Sequence, residues 1–526
     1  MSYNIVPDVK SSSNQSNLAG KTANSKFSFA ALPLVLLVVL SAMLIVERLS
    51  VPQMPISPDA GAYSVISHEL LQGKSLYTDI WDHKPPAVFI TYAIAETFFG
   101  YSSQTIFILC LFINLVVLYG LYYAGKAGRG GTVAGLLAAV LWVIVSGIFE
   151  IEGRDPNTEV FLNACLIWAF ALLVKTRKNG LAVKHSLLIG MLFALGSFYK
   201  PVIVANALFL VGAHVIFPPG GAANRKKTLT DGLIIASVGV VGWIAAFGYF
   251  AATNRFEIFY KTIVSYNSYY SGDLPANIIA PLQGRSELFL DFMNPLAGLV
   301  VVGIILTFIR NRRQSALLAA FVASTWIAIA LPGHFYVHYF QLWLPPLIVG
   351  ASWAIGYFTV SEKLWLRTAA YATAVLLAVI LIMNQVLSYQ SALAGNWSKF
   401  LNPPLVAGKD TARKINSLLA PDETFFLWGN TPNLYLLTGR KPPAAVVFHQ
   451  HLFESPVINQ LSERVKTDLA RKRPEMLVAE IGKVPVPDWI AQDYEPMPIP
   501  QAKDSYTFYM RRGGRLAMQF DSVVGK

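Results

Sequence analysis

Residues 27–46 read FSFAALPLVLLVVLSAMLIV, and this uncharged stretch decides the fold. A helix of about twenty apolar residues spans roughly 30 Å, the thickness of the hydrocarbon core of a bilayer. This stretch has no small-residue cleavage site before Glu47, so we interpret it as an uncleaved membrane anchor. The preceding residues 1–26 are polar and rich in Ser and Asn, and we expect them to form a disordered cytoplasmic tail.

The composition extends this interpretation to most of the chain. Of the 526 residues, 54% are hydrophobic and only 14% are charged, whereas a soluble domain is nearer a quarter charged. The mean hydropathy is +0.48. Apolar runs recur at 27–46, 85–99, 104–124, 131–148, 159–174, 186–199, 201–217, 232–252, 292–309, 315–331, 341–359 and 367–386. The sequence therefore predicts a polytopic α-helical membrane protein.

Basic residues in short loops set the expected orientation. They cluster at 175–178, 225–227, 310–313 and 363–367. Positively charged loops stay in the cytoplasm, and two crossings separate neighbouring clusters, so the four agree with one another. The run 85–99 is short, opens with two prolines and contains Glu96, which favours an interfacial or re-entrant helix. We therefore expect about eleven transmembrane helices, with the N-terminus cytoplasmic and the C-terminus outside.

The net charge of +12 would suggest a nucleic-acid partner in a soluble protein, but here membrane orientation accounts for it and we expect no nucleic acid. Cys110 and Cys165 lie in apolar runs and imply no disulfide framework. Beyond residue 386, charge and turn residues return, so residues 387–526 are expected to form a small α/β domain outside the membrane. Its predicted helices are 409–419 and 456–472, and its predicted strands are 425–428, 444–448, 475–481 and 506–510.

The first outside loop holds a dense group of ionisable residues, SPDAGAY at 57–63 and YTDIWDHKPP at 77–86. Asp59 would begin a helix with one apolar face, where the helix dipole keeps a carboxylate ionised. A plain helix cap is the alternative for Asp59, and a snorkelling interfacial lysine is the alternative for Lys84. Neither alternative explains Asp82 and His83 beside Lys84.

Two more outside segments carry charge. The loop EIEGRDPNTE at 150–159 contains Asp155, and its last residue, Glu159, opens a crossing helix; a solvated turn is the alternative. Lys200 lies between two apolar runs. A lysine in that setting faces a cavity or a partner such as a lipid phosphate, unless it snorkels beside the break at Pro201.

Later outside loops give weaker signals. Residues 255–285 mix cations with aromatic residues, among them Arg255 and Tyr266, which suits a sugar-phosphate surface but also any interfacial loop. His334 and His338 are four residues apart and could share a helix face, a spacing also used for metals. No matching glutamate motif accompanies them, so the sequence implies no metal and no other cofactor, although a divalent ion is compatible with these residues.

These motifs resemble the GT-C superfamily of integral membrane glycosyltransferases, of the protein O-mannosyltransferase and lipid A aminoarabinose transferase type. The similarity is carried by Asp59 after the first crossing, the segment 77–86, the loop end PNTE at 156–159, Lys200 with Pro201, and GHFYVHYF at 333–340. WGNTP at 428–432, Tyr435 and Gly439 with Arg440 resemble the tail of bacterial homologues.

The resemblance implies that residues 27–386 form a catalytic transmembrane domain in a bacterial plasma membrane. It implies inverting transfer of a sugar from a polyprenyl-phosphate donor to a hydroxyl of a lipid, glycan or protein acceptor on the outer face. Asp59 would be catalytic, with Asp155 or Glu159 as a second acid, because Ala60 stands where some members carry an adjacent acid. We expect donor phosphate or lipid contacts from Lys84, Lys200, His338, Tyr339 and Arg255, and substrate contacts from Asp82, His83 and Tyr266.

Elementary chemistry agrees with these roles. An acceptor hydroxyl needs a general base, and a departing phosphate is stabilised by fixed cations. Two alternatives stay open, a flippase for lipid-linked sugars and a non-catalytic partner in polysaccharide assembly. A flippase would need charges in the middle of its helices, whereas the apolar runs are nearly free of charge.

Overall fold

The structure is a computed structural model that describes residues 31–49, 54–176, 179–452, 458–482, 485–499 and 505–524. The tail expected at 1–26 lies outside the described residues, as do Arg177 and Lys178 of one basic cluster. A helical bundle occupies the first three quarters of the chain, and a small domain with a β-sheet follows it.

The bundle is built from helices that coincide with the apolar runs. In chain order they are α1 (Leu32–Leu49), α2 (Pro58–Leu71), α3 (Ala87–Phe99), α4 (Ser103–Gly125), α5 (Thr132–Val145), α6 (Thr158–Val174), α7 (Val183–Tyr199), α8 (Ile203–Ile216), α9 (Arg225–Ala252), α10 (Phe256–Tyr260), α11 (Asn267–Ser271), α12 (Leu274–Ile279), α13 (Asn294–Arg310), α14 (Arg312–Ala330), α15 (Leu344–Thr359) and α16 (Leu364–Leu393). Among the described residues, seven helical segments are long and apolar enough to cross a membrane, and α3, α5, α6, α7 and α8 are shorter apolar helices. The polytopic class is thereby confirmed.

The number of crossings stays a prediction. Helix α3 has 13 residues and is about 20 Å long, less than the hydrocarbon core of roughly 30 Å. Helices α5 and α8 have 14 residues each, so length alone does not single out α3 as interfacial. Helix α3 packs on α2 instead of standing alone, because the Ser67 hydroxyl donates to the Phe89 carbonyl over 2.8 Å.

Close packing holds the bundle together. Helix α4 contacts α5 and α6, α7 contacts α9, α8 contacts α14, and α13 contacts α15. The α13–α15 contact depends on Gly303, where an added Cβ atom would lie 2.4 Å from the carbonyl oxygen of Gly350. Only 11% of the most apolar window of α9 is buried against protein, so this helix presents most of its apolar surface outward, as a lipid-facing helix does.

The C-terminal domain contains a four-stranded sheet. Its elements are α17 (Pro403–Val406), α18 (Gly408–Leu418), β1 (Phe425–Trp428), α19 (Asn433–Thr438), α20 (Ile458–Lys472), β2 (Met476–Glu480), α21 (Asp488–Ala491), β3 (Tyr494–Pro496), β4 (Tyr506–Arg511) and α22 (Arg515–Val524). The strand order is β1-β2-β4-β3, with β1 parallel to β2 and the other pairs antiparallel. Helix α16 extends to Leu393, beyond the boundary expected at residue 386.

The strand predicted at 444–448 is wrong. Val446 forms a single bridge with Trp81 of the first loop, and the Trp81 amide donates to the Ala445 carbonyl over 2.8 Å. This segment is apolar because it is buried against the loop, and not because it pairs within the sheet. The other predicted strands and both predicted helices coincide with β1, β2, β4, α18 and α20.

Candidate active site

Asp59 lies in the first turn of α2, at the end of the bundle that bears the C-terminal domain. Ser57 caps the helix, since its Oγ accepts the Ala60 amide over 3.4 Å, and Pro58 occupies the first position. The Asp59 Oδ2 atom accepts a hydrogen bond from the Tyr63 hydroxyl at 3.3 Å. The Asp59 side chain is 29% exposed on a helix whose next residues are buried, so a substrate can reach this carboxylate.

His338 stands between Asp59 and Glu152. Its Nε2 is 3.9 Å from Asp59 Oδ2, and its Nδ1 is 3.5 Å from Glu152 Oε2. Burial opposes ionisation of Glu152, but the charge and hydrogen bond of His338 prevail and lower its pKa. Asn157 Nδ2 donates to the same Glu152 oxygen over 2.7 Å. The imidazole of His338 therefore connects the first turn of α2 with the loop at 150–159.

Glu152 has an unusual backbone. Its φ is +53°, a left-handed conformation that is uncommon outside glycine and that concentrates at functional sites. The Gln341 side-chain amide fixes this turn by donating to the carbonyls of Ile151 at 2.7 Å and Glu152 at 3.1 Å. The second loop is therefore positioned by the segment that carries His338.

Lys200 and Glu159 form a buried ion pair. The Lys200 Nζ is 2.6 Å from Glu159 Oε1, and it lies 3.4 Å from the ring centroid of Tyr339. Burial lowers the pKa of Lys200 to about 8, although the charge of Glu159 opposes this change. Because Lys200 and Thr158 occupy its two oxygens, Glu159 serves as a counter-ion in this structure.

Lys84 is buried in the loop before α3. Its Nζ is 3.2 Å from His83 Nε2, its amide donates to Asp82 Oδ1 over 2.8 Å, and its carbonyl accepts the Tyr77 hydroxyl over 2.8 Å. Burial raises the pKa of Asp82 to about 6 against the lowering effect of Lys84. Asp82 therefore fastens the loop that presents Lys84.

The C-terminal domain contributes His451 to the same region. Its Nδ1 is 2.8 Å from the Tyr266 hydroxyl, and its ring contacts Trp81 and His83. The possible ligand atoms of Asp82, His83 and His451 lie within 4.8 Å of one another, so these three could hold a divalent metal. Burial lowers the pKa of His451 to about 3 and that of His83 well below its usual value, which keeps both in the neutral form that metals bind.

An aromatic wall extends outward from His338. The ring centroids of Tyr270 and His334 are 4.0 Å apart, those of His334 and Tyr336 are 5.5 Å apart, and those of Tyr336 and His338 are 5.8 Å apart. The wall follows a π-helical turn, Lys261–Tyr266, a rare form that is frequent at functional sites. Flat aromatic faces of this kind suit the apolar face of a sugar ring.

Asp155 is engaged with the cap of helix α2. It accepts hydrogen bonds from the amide and the hydroxyl of Ser57, the residue that caps α2. Burial raises its pKa to about 8, and the charge of Glu152 adds to this effect, so Asp155 is mostly protonated at neutral pH. A protonated carboxyl cannot act as a base, and the expectation of a second acid at Asp155 or Glu159 stays a prediction.

Most of the residues singled out by sequence come together here. The charges of Lys84 and Asp59 act on the pKa of both Asp82 and Lys200, which places these four residues in one region. The other members of the group are His338, Tyr339, Glu159, His83 and Tyr266. Arg255 is the exception, since its described contacts are with Tyr249, Phe250 and Thr253 at the end of α9. The sequence motifs did not single out Glu152, Tyr63 or His451 as functional residues. The density of acids in the loop at 150–159 is the signal that could have found Glu152.

Comparisons with solved structures identify the architecture. ArnT from Cupriavidus metallidurans bound to undecaprenyl phosphate superposes with a TM-score of 0.60 at 15% identity, over 91% of this chain and 98% of that one. Its apo state gives 0.61 at 15% identity, over 92% and 98%. This is the GT-C fold.

The GT-C fold also relates the chain to the oligosaccharyltransferase of Archaeoglobus fulgidus tethered with an acceptor peptide, with a TM-score of 0.50 at 12% identity over 86% of this chain and 69% of that one. No protein-family model and no curated protein matches the sequence. At these identities the likeness shows the fold, and it confirms at that level the resemblance to GT-C membrane proteins found in the sequence motifs.

Proposed function

We propose that this protein is an inverting glycosyltransferase that moves a sugar from a polyprenyl-phosphate donor to an acceptor hydroxyl, on the extracytoplasmic face of a bacterial plasma membrane. One observation carries the proposal: a partly exposed carboxylate, Asp59, and two buried cations, Lys84 and Lys200, lie at the domain-bearing end of the bundle, where the charges of Asp59 and Lys84 both act on the pKa of Lys200. A base beside fixed cations is the arrangement that attack on a sugar phosphate needs.

The proposed reaction is a single displacement. The acceptor hydroxyl gives its proton to Asp59 while its oxygen forms a bond to the anomeric carbon. The bond from that carbon to the phosphate oxygen breaks, its electron pair stays on the oxygen, and polyprenyl phosphate leaves. Attack from the face opposite the phosphate inverts the anomeric centre. Lys84 and Lys200 stabilise the charge that develops on the leaving phosphate.

The neighbours of these groups are positioning residues. His338 lies between two carboxylates and orients Asp59 from one side while Tyr63 does so from the other. Glu159 holds Lys200, and Asp82 holds the loop of Lys84. The mechanism uses one base, because Asp155 is protonated at neutral pH and Glu159 is engaged in an ion pair.

The comparison with a solved structure supports a lipid-phosphate donor. The ArnT structure that shares the fold over nearly its whole length was solved bound to undecaprenyl phosphate. The buried lysines and the aromatic wall offer this chain a matching set of phosphate and sugar contacts. A lysine binds phosphate as a compact point charge, which does not require a metal.

The test is the Asp59→Asn substitution in purified full-length protein. The amide cannot accept the proton, so sugar transfer should fall at least about a hundredfold while donor binding persists. Mass spectrometry after incubation with a panel of lipid-phosphate sugars and membrane acceptors measures both transfer and release of polyprenyl phosphate. Asp521→Asn, which changes an exposed acid on α22, is the matched control.

Two results would contradict the proposal. Transfer by Asp59→Asn at the control rate would remove Asp59 as the base. Movement of labelled lipid-linked sugar between leaflets by the unaltered protein, without release of polyprenyl phosphate, would instead show a flippase.

A further inference from the structure

Two loops meet at the end of the bundle away from Asp59. The Gln314 side-chain amide donates to the Ala127 carbonyl over 2.9 Å, which joins the loop between α4 and α5 to the loop between α13 and α14. The second of these loops contains a basic cluster that the charge pattern predicts to be cytoplasmic. Helix α15 begins next to the segment of His338 and ends at these loops, and its 16 residues span about 24 Å.

A small pocket between the two loops is lined by two arginines. Arg129 comes from the first loop, Arg310 and Asn311 come from the second, and Tyr357 comes from the last turns of α15. No acidic side chain is among the described residues that line it. The pocket measures about 20 Å³, which is room for about one water-sized group.

The two guanidinium groups of this pocket have no counter-charge. Within the part of the chain that the structure describes, the exposed side chains of Arg129 and Arg310 make no ion pair and no hydrogen bond. Like charges at one pocket repel each other, and an anion between them replaces this repulsion with attraction. Asn311 and Tyr357 bring an amide and a phenol that can also donate hydrogen bonds to an anion.

Arg129 is presented from a firmly packed turn. An added Cβ atom at Gly130 would lie 2.7 Å from the Cα atom of Gly356 in α15, so the turn lies directly on that helix. The guanidinium carbon of Arg129 is 4.4 Å from the ring centroid of Tyr357, which holds the side chain against the same helix. A cation that is already in position loses little conformational freedom when it binds an anion.

The neighbouring surface is apolar and suits a lipid. Helix α13 belongs to a segment, Asp291–Arg310, that is long and apolar enough to cross a membrane, and Arg310 is its last residue. Phe308 and Ile309, just before Arg310, are 55% and 72% exposed, so an acyl chain can lie along this helix. Cytoplasmic leaflets carry anionic phospholipids, and basic pockets between transmembrane helices bind their headgroups.

We propose that this pocket binds the phosphate of an anionic phospholipid from the cytoplasmic leaflet. Arg129 and Arg310 contact the phosphate, one of its oxygens enters the pocket, and the acyl chains lie along α13 past Phe308 and Ile309. The site does not depend on the proposed transfer reaction, whose residues lie at the other end of the bundle. It is a lipid site in the leaflet opposite the one expected to supply the sugar donor.

The experiment compares two photoreactive lipids, using the full-length protein in phosphatidylcholine nanodiscs. Phosphatidylglycerol and phosphatidylcholine probes with the same diazirine-bearing acyl chain are added in trace amounts, and mass spectrometry maps the cross-links. Peptides that cover 126–131 and 305–314 should be labelled at least about fivefold more by the phosphatidylglycerol probe. An excess of sodium phosphate should leave this preference unchanged, because free phosphate has no acyl chain to bind along α13.

A pair of double variants tests the two arginines. Arg129→Gln with Arg310→Gln removes both charges from exposed positions and should lower the preference at least about fivefold. Arg225→Gln with Arg367→Gln is the matched control and should keep the preference within about twofold. These two arginines are also exposed, belong to other basic clusters predicted to be cytoplasmic, and do not line the pocket.

Three results would overturn the proposal. An equal loss of preference in the pocket variant and the control would show that diffuse positive charge attracts the lipid. Equal labelling by both probes in the unaltered protein would show that the pocket does not select an anion. Loss of the preference in sodium phosphate would show a site for free phosphate instead of a lipid.

Discussion

Asp155 and Asp59 are carboxylates at the same end of the bundle, but their surroundings give them different chemistry. Asp155 is buried, and its pKa is raised to about 8, whereas Asp59 is partly open to solvent and accepts a hydrogen bond from Tyr63. A protonated carboxyl still accepts hydrogen bonds, as Asp155 does from the amide and hydroxyl of Ser57. The role we assign to Asp155 is therefore to hold Ser57, the cap of the helix that carries Asp59.

An amide substitution tests this role. Asp155→Asn has the shape of the protonated acid, so transfer at neutral pH should stay within about tenfold of the unaltered protein, while Asp155→Ala should lose more because two buried partners are left unpaired. The measurement is initial rate of sugar transfer, with acceptor KM and kcat resolved. Loss of transfer in Asp155→Asn equal to that in Asp59→Asn would show that the ionised carboxylate is required.

Asp155 and Lys200 set the alkaline limit of the reaction. Below pH 8 Asp155 is neutral and Lys200 is positive; above it Asp155 becomes negative and Lys200 loses its charge. Each change makes the charge of the site more negative, which weakens its binding of an anionic lipid donor. The rate of transfer should therefore fall as pH rises through about 8. Asp155→Asn cannot ionise and should decline less steeply above that pH. An identical alkaline decline in both proteins would assign it to Lys200 alone.

At the scale of elements, helix α2 carries Asp59 and also forms the docking surface for α19. Gly61 allows this contact: a Cβ atom there would lie 2.7 Å from the Asn433 Cβ and 2.9 Å from its backbone nitrogen. Because α19 packs directly on α2, the spacing between these two helices sets how the C-terminal domain meets the helix of Asp59. The absence of a side chain at Gly61 is thus a packing requirement.

Gly61→Ala should separate the two helices. The crowded atoms are the backbone and the Cβ of Asn433, which cannot rotate away, so we expect destabilisation of about 1–3 kcal/mol and weaker transfer. Thermal unfolding followed by intrinsic fluorescence in detergent measures the first effect. Gly248→Ala, on the outward face of α9 with nothing within 4 Å, is the control and should be neutral or slightly stabilising. Equal melting temperatures for both variants would contradict the close contact.

At the scale of the whole molecule, the helical bundle can be predicted from the sequence, whereas contacts between distant segments can be found only in the folded structure. Hydropathy predicts the bundle, because membrane length and apolar composition are properties of single segments. The pairing of Glu152 with His338 depends on a left-handed residue in one loop and a short helix nearly two hundred positions away. His451 enters the site because the C-terminal domain docks on the Trp81 loop, and no local pattern announces such a contact.

The orientation of the bundle in the membrane decides which compartment Asp59 faces. Asp59 and the C-terminal domain lie at one end of the bundle, and the basic loop 225–227 belongs to the cytoplasmic set predicted from charge. In a background that replaces the two buried cysteines, Cys110 and Cys165, Ser522→Cys should react with an impermeant maleimide in intact cells. Lys226→Cys should react only after the membrane is opened. The reverse pattern would place Asp59 in the cytoplasm, where the proposed reaction would have to use a donor facing inward.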